Sequence, residues 1–212
     1  MENAMTIRNA VGRDRGQTQQ ILIGGVGRVL AKEGFIGLGI NAIAREARVD
    51  KVLIYRYFDG LPNLLKAYGQ SGDFWPSVEE VLGPDENALR ALPLALRTAT
   101  IVMRLLDALR KRPQTIEILA WEAVQQNALT ESLAEIREQW SREVITRMLP
   151  DSAKDEDDVL ALASLLVGGF QYLLIRSRNT KVYGGIALNT EDGWRRIRNA
   201  ALRAFQIRPP GT

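Results

Sequence analysis

The stretch from Gly34 to Leu65, GFIGLGINAIAREARVDKVLIYRYFDGLPNLL, carries the clearest structural signal in this chain. Its apolar residues recur at helical spacing in two short runs, 40–47 and 51–57. Only a short link centred on Ala47-Arg48-Val49 joins them. Two helices of about eight residues in such close succession are typical of a helix-turn-helix, whose second helix lies in the major groove of DNA.

The second predicted helix carries side chains that suit a DNA surface. When its apolar residues face inward, Lys51, Val52, Tyr55 and Arg56 face outward. Lys51 and Tyr55 can bind phosphates, and Arg56 can bind a phosphate or a guanine edge. Val52 and Leu53 can touch thymine methyl groups. Any amphipathic helix also turns polar residues outward, so the pattern alone leaves a purely structural helix open.

Composition narrows the class of protein. The chain has 212 residues, of which 46% are hydrophobic and 25% charged, as in ordinary globular domains. It has no Cys and no His, which removes the thiolate nucleophile, the usual proton shuttle and the commonest metal ligands. No other set of titratable residues has catalytic spacing, so we predict that the chain is not an enzyme and holds neither a metal nor a cofactor.

The positive charge is concentrated near the N-terminus. The net charge is +3, but residues 1–70 carry ten Lys or Arg against six Asp or Glu, and the remainder is near neutral. Clustered cations favour a nucleic acid or an anionic membrane as partner. Residues 1–17 contain Arg8, Arg13 and Arg15 and are predicted to form a flexible arm. This arm either reaches the DNA or only aids solubility.

The chain as a whole is predicted to be all-α. Helical periodicity recurs over 18–33, 62–72, 85–111, 113–126, 129–148, 155–178 and 191–206, and no segment shows the pattern of a β-hairpin. Pro93 is expected to kink or split the helix over 85–111. The N-terminus has no apolar segment of the kind found in secretory signals, which predicts a cytoplasmic protein.

Residues 18–70 resemble the N-terminal domain of the tetracycline-repressor (TetR) family of transcriptional regulators. The resemblance is carried by a register of short motifs: Lys32-Glu33-Gly34-Phe35, Ile43-Ala44-Arg45-Glu46-Ala47, Val49-Asp50-Lys51, Ile54-Tyr55-Arg56-Tyr57-Phe58 and Leu64-Leu65. It implies a helix-turn-helix DNA-binding domain over 18–72 and a helical effector-binding and dimerisation domain over 73–212. It also implies DNA contacts at Asn41, Lys51, Val52, Leu53, Tyr55, Arg56 and Tyr57.

The sequence departs from the family pattern in three places. Gly39 and Ile40 stand where a capping Ser or Thr is usual, Arg48 replaces a turn glycine, and Leu61 replaces a lysine that binds phosphate. These departures remove a helix cap and two expected phosphate contacts. They keep open an alternative function, an all-helical small-molecule or protein-binding module whose DNA-binding surface has decayed.

Two further sites are expected in the C-terminal part. A small-molecule effector pocket is predicted from aromatic, soft apolar and polar side chains, although such residues at helical spacing more often belong to the core: Phe74, Trp75, Met103, Leu106, Trp121, Glu122, Gln125 and Tyr172. The charge-free stretch 159–175 fits a homodimer seam better than a membrane span. Its predicted interface residues, with two from the last helix, are Leu162, Leu165, Leu166, Gly169, Leu173, Trp194 and Ile197.

The resulting prediction is a ligand-responsive homodimer that regulates transcription. We expect it to act as a repressor, to bind a palindromic operator in double-stranded DNA, and to be released by a small-molecule effector.

Overall fold

The computed structural model describes residues 2–71, 74–124, 128–148 and 157–205. These residues form eleven α-helices and one two-stranded hairpin. The helices are α1 (Glu2–Glu33), α2 (Ile40–Ala47), α3 (Val52–Phe58), α4 (Leu61–Gly69), α5 (Val78–Leu82), α6 (Glu86–Ala91), α7 (Leu94–Arg110), α8 (Pro113–Glu122), α9 (Ala128–Met148), α10 (Asp157–Ser177) and α11 (Glu191–Ala204). The strands are β1 (Val182–Tyr183) and β2 (Ile186–Ala187).

The chain divides into two compact units. The first contains Met1–Trp75 and Trp121–Ile136, and the second contains Pro76–Ala120 and Arg137–Thr212. The sequence predicts a DNA-binding domain over 18–72, so segment 121–136 is an addition to the first unit. Two contacts explain this addition. The rings of Trp121 and Phe35 stack with centroids 5.3 Å apart, and a Cβ placed at Gly69 would lie within 2.8 Å of methyl carbons of Leu133 and Ile136.

The core of the first unit lies between α1, α2, α3 and α4. α1 packs against α2 and α4, and α3 packs against α4. The glycines inside α1 permit this close approach, since a Cβ at Gly25 would lie 3.3 Å from the Cβ of Ala47. The fully buried side chains come from all four helices: Leu22, Val26, Ile43, Ile54 and Leu64.

The N-terminal arm expected over 1–17 differs in the structure. α1 begins at Glu2 and continues without interruption to Glu33. The segment contains no Pro, so no residue blocks the helical hydrogen bonds. The side chains of Arg8 and Arg13 lie outside the described residues, whereas Arg15 is described and exposed.

The second unit is built around α7. α5, α10 and α11 each pack against this helix, whose buried residues include Val102, Leu105 and Leu109. Pro93 splits the predicted 85–111 helix into α6 and α7, because its ring cannot sit inside an α-helix. The short helix α5 was not predicted. Ser77 caps it by accepting a hydrogen bond from the Glu80 N–H at 3.1 Å.

Residues 182–187 correct the expectation that no hairpin is present. β1 and β2 pair antiparallel, with Val182 opposite Ala187 and Tyr183 opposite Ile186. The two turn residues, Gly184 and Gly185, have φ of 54° and 77°. A two-residue hairpin turn with both φ positive matches the right-handed twist of the strands, and glycine adopts it at little steric cost.

Candidate nucleic-acid interface

α2 presents a polar face because its apolar residues are buried on the other side. Ile43, Ala44 and Ala47 are buried, whereas Asn41 is exposed. Gly39 is the N-cap residue and supplies no side-chain hydrogen bond to the helix. A Cβ atom placed on Gly39 would have no other atom within 4 Å, so the usual capping serine would fit at this position.

Arg48 holds the turn between α2 and α3 in a left-handed conformation, with φ 55° and ψ 41°. Its N–H donates to the Arg45 carbonyl at 3.2 Å, and the Val49 N–H donates to the Ala44 carbonyl at 3.1 Å. These two bonds form a Schellman motif, in which glycine usually takes the left-handed position. The turn therefore keeps its geometry although Arg48 replaces glycine, at a cost of about 1–2 kcal/mol in backbone strain.

Replacing Arg48 by glycine should stabilise the protein. We expect Arg48→Gly to raise the free energy of unfolding by about 0.5–1 kcal/mol, because relief of the strain exceeds the added entropy of the unfolded chain. Urea denaturation followed by circular dichroism measures the change. Asp59→Gly is the matched control, since Asp59 is also left-handed (φ 57°) but aspartate tolerates this region better. A destabilised Arg48→Gly variant would contradict the assignment of strain to this turn.

α3 begins at Val52, and Asp50 binds the backbone of its first turn. The Asp50 Oδ1 accepts a hydrogen bond from the Val52 N–H at 2.9 Å, and the Asp50 carbonyl accepts one from the Leu53 N–H at 3.0 Å. Ile54 is fully buried and anchors the helix to its unit. One face of α3 therefore packs against the core of the first unit, and the opposite face is exposed to solvent.

The exposed face of α3 contains large side chains. Val52 and Tyr55 are 59% and 56% exposed, and Lys51 and Arg56 are also exposed. Leu53 and Tyr57 are half-buried, so both offer less surface to a partner than the sequence suggests. The structure therefore brings Lys51, Val52, Tyr55 and Arg56 together on one surface.

The cations of the first unit fall into two groups. On α1 and α2, Lys32 donates hydrogen bonds to both oxygens of Glu46 at 2.8 and 2.9 Å, and Arg28 lies 3.3 Å from the same carboxylate. The hydrogen bond from Lys32 lowers the pKa of Glu46 below its ordinary value. In the described part of the chain, Lys51 and Arg56 have no carboxylate partner. The recognition surface therefore keeps its positive charge.

The residues proposed for an effector pocket are divided between the two units. Phe74 and Trp75 are buried in the first unit with their ring centroids 6.0 Å apart, and Trp121 and Glu122 are half-buried there. Gln125 lies outside the described residues. The burial of Phe74 and Trp75 agrees with the core alternative that the sequence left open.

The other three pocket candidates belong to the second unit. Met103 and Leu106 are buried on α7, again as the core alternative predicts. Tyr172 is 49% exposed, and its ring meets the ring of Tyr183 edge to face at 5.8 Å. Tyr172 thus lies at the surface of α10, beside the hairpin.

The apolar surface of α10 is largely uncovered. The stretch Val159–Ser177 is long and apolar enough to cross a membrane, yet only 11% of it is buried within this chain. Leu165 is 72% exposed, and a Cβ at Gly168 or Gly169 would meet nothing within 4 Å. The remaining predicted interface residues on α10 and α11 are half-buried: Leu162, Leu166, Leu173 and Ile197.

Trp194 does not belong to this open surface. It is only 6% exposed, its Nε1–H donates to the Leu188 carbonyl at 2.8 Å, and the Arg110 guanidinium lies 5.1 Å from its ring centroid. The side chain makes its contacts within its own chain, so little of Trp194 is left exposed for the predicted interface. Helical spacing could not show that the loop after β2 covers this residue.

Comparison with known proteins agrees with this geometry. Residues 27–68, which span α2, α3 and nearly all of α4, match the family model of bacterial regulatory proteins, tetR family. Residues 27–68 therefore carry the domain that this family model describes. No curated protein matches the sequence of this chain.

Solved structures share the fold of this chain over most of its length. The fatty acid degradation regulator FadR from Bacillus halodurans has a TM-score of 0.62 at 16% identity, covering 90% of this chain and 97% of its own. FadR from Bacillus subtilis, in complex with stearoyl-CoA, has a TM-score of 0.60 at 18% identity. The match covers 88% of this chain and 96% of FadR. RolR in complex with resorcinol has a TM-score of 0.52 at 18% identity. The match covers 95% of this chain and 98% of RolR. At these identities the likeness shows the fold alone.

Proposed function

We propose that this chain is a dimeric TetR-family repressor that binds a palindromic DNA operator and is released by a small-molecule effector. The exposed face of α3 carries the proposal. Lys51, Tyr55 and Arg56 provide donors for phosphates, and Val52 provides an apolar contact for thymine. Because Lys51 and Arg56 lack carboxylate partners among the described residues, their charge is available to a polyanion.

The uncovered surface of α10 supports a homodimer. Exposed apolar surface of this extent usually marks a site that another molecule covers. Gly168 and Gly169 leave room for the backbone of a second helix to approach closely, and Leu165 supplies apolar area beside them. A second copy of the same chain fits because a twofold axis brings one such surface against another. Tyr172 and Tyr183 extend this proposed interface to the hairpin.

A dimer makes the operator palindromic and the response switchable. Two recognition helices must lie about 34 Å apart to enter successive major grooves on one face of the duplex. An effector that prefers a conformation with another separation lowers DNA affinity by its differential binding free energy, commonly about 1–3 kcal/mol. The ligands of the similar proteins, stearoyl-CoA and resorcinol, differ greatly in size, so they support an effector site without naming its ligand.

Selection of bound fragments from random duplex DNA tests the proposal. We expect the purified protein to select a palindrome whose half-sites are about one helical turn apart. Its affinity for this duplex should fall steeply between about 50 and 200 mM salt, because binding releases counterions from the phosphates. Failure to select any sequence at any salt would contradict the proposal and favour the module with a decayed DNA-binding surface.

Substitutions on α2 and α3 should separate phosphate contacts from base contacts. We expect Lys51→Ala to weaken binding to all duplexes and to reduce the salt slope by about 1 per protomer, and Tyr55→Phe to weaken binding uniformly. Asn41→Ala should relax preference at one base pair in each half-site, at a cost of about 1–3 kcal/mol. Anisotropy titrations measure these affinities, with the exposed Lys181 in the second unit changed to Ala as the control. An unchanged selected motif for Asn41→Ala would remove Asn41 from base recognition.

A further inference from the structure

Two arginines from distant parts of the chain meet at one aromatic ring. The Arg15 Cζ, on α1, lies 5.6 Å from the centroid of the Tyr57 ring. The Arg56 Cζ, on α3, lies 6.0 Å from the same centroid. Both distances are within the range of cation–π attraction, which holds a guanidinium over the ring face. Arg15 is thereby fixed beside the recognition helix, although it precedes Tyr57 by 42 residues.

The charges around this ring are not compensated within the described residues. Neither Arg15 nor Arg56 forms an ion pair with a described carboxylate, whereas Arg28, on the same helix as Arg15, pairs with Glu46. Cation–π attraction at an exposed site is worth only about 0.5–1 kcal/mol, and two guanidinium groups held near one ring repel each other. An anion bound by both groups would offset this repulsion.

The geometry favours phosphate as that anion. Guanidinium groups present parallel N–H donors that match phosphate oxygens, and charge-assisted bonds of this kind are among the strongest hydrogen bonds in proteins. Arg56 lies in the last turn of the recognition helix, and Tyr57 adds a phenolic hydroxyl next to it. A phosphate of the duplex backbone would reach this corner as α3 enters the major groove.

We propose that Arg15, Arg56 and Tyr57 form a backbone-phosphate site that brings Arg15, on α1, into the DNA-binding surface. This proposal rests on the proposed function, since its ligand is the operator duplex. Tyr57 acts as the positioning residue for Arg15, and the two arginines bind the phosphate. The site adds one phosphate contact per protomer to those of α2 and α3. It thereby compensates for Leu61, which cannot bind phosphate as a lysine at that position would.

The salt dependence of operator binding tests this site in the full-length protein. With the duplex obtained by selection, Arg15→Ala should lower the slope of log K against log salt by about 0.9 per protomer, or about 1.8 for the dimer. Its base preference should not change, because a phosphate carries no sequence information. Tyr57→Phe keeps the ring and should keep the contribution of Arg15. In a Tyr57→Leu background, Arg15→Ala should change the slope less, because the ring no longer holds the arginine.

Arg28→Ala is the matched control, because it removes an α1 arginine that already lies 3.3 Å from a carboxylate oxygen of Glu46. We expect it to leave the slope unchanged. If the wild type binds the duplex but Arg15→Ala keeps the wild-type slope, the phosphate site is overturned while the proposed function stands. A lower melting temperature with an unchanged slope would give Arg15 a purely structural role and overturn the site equally. If the wild type binds no duplex, both proposals fail.

Discussion

Replacing Leu165 by glutamate should convert the dimer into monomers and weaken operator binding by about 100-fold or more. Leu165 is 72% exposed in the single chain, so the substitution leaves the core of the protomer intact. In the proposed interface the new carboxylate would be buried without a partner, which costs several kcal/mol per site and occurs twice across a twofold axis. A monomer binds only one half-site. It therefore lacks the increase in affinity that the dimer obtains by binding two linked half-sites at once.

Analytical ultracentrifugation and anisotropy titration together measure this change. Leu96→Glu is the control, because Leu96 is also an exposed leucine (47%) but lies on α7. We expect this control variant to remain dimeric and to bind the operator as the wild type does. A Leu165→Glu protein that stays dimeric would show that α10 is not the interface.

Adding one methyl group at Gly193 should destabilise the second unit by about 2–3 kcal/mol. A Cβ at this position would lie 1.9 Å from the carbonyl oxygen and 2.7 Å from the carbonyl carbon of Ala187. These atoms belong to the backbone of β2 and cannot rotate away, so either the hairpin or the start of α11 must move. Thr190 caps α11 by accepting a hydrogen bond from the Gly193 N–H at 3.1 Å, and this cap would be strained as well.

Chemical denaturation of Gly193→Ala measures the loss of unfolding free energy. Gly16→Ala is the control, since Gly16 lies inside α1 and a Cβ there would meet nothing within 4 Å. Alanine in a helix interior should stabilise Gly16→Ala by up to about 1 kcal/mol. Equal stabilities of the Gly193→Ala variant and the wild type would mean that the hairpin does not press on α11.

The local pattern predicts the recognition motif well because each signal acts within one or two helical turns. The spacing of Ile43, Ala44 and Ala47 predicts α2 with the bounds that the structure has, and α3 is displaced by only one residue. Pro93 splits its helix as expected, since proline acts on its own turn. The motif register around Ile54–Phe58 likewise indicates the family, because its residues are consecutive in the chain.

The features that the sequence did not predict depend on contacts between distant residues. The approach of Arg15 to Tyr57, the burial of Trp194 beneath Leu188 and the packing of segment 121–136 on the first unit have no local signal. The hairpin did have a local signal, the turn pair Gly184-Gly185. Its two-residue strands are too short, however, to show an alternation of apolar and polar residues.

The bounds of α2, those of α3 to within one residue, and the face of α3 that carries cations follow from the sequence alone, because side-chain periodicity and capping are local properties of the chain. Which cations are paired and which apolar surfaces stay open follows only from the tertiary fold. Pairing and burial depend on which residues meet in space. Lys32 is therefore paired with Glu46 whereas Lys51 has no carboxylate partner among the described residues, and Trp194 is covered while Leu165 remains exposed.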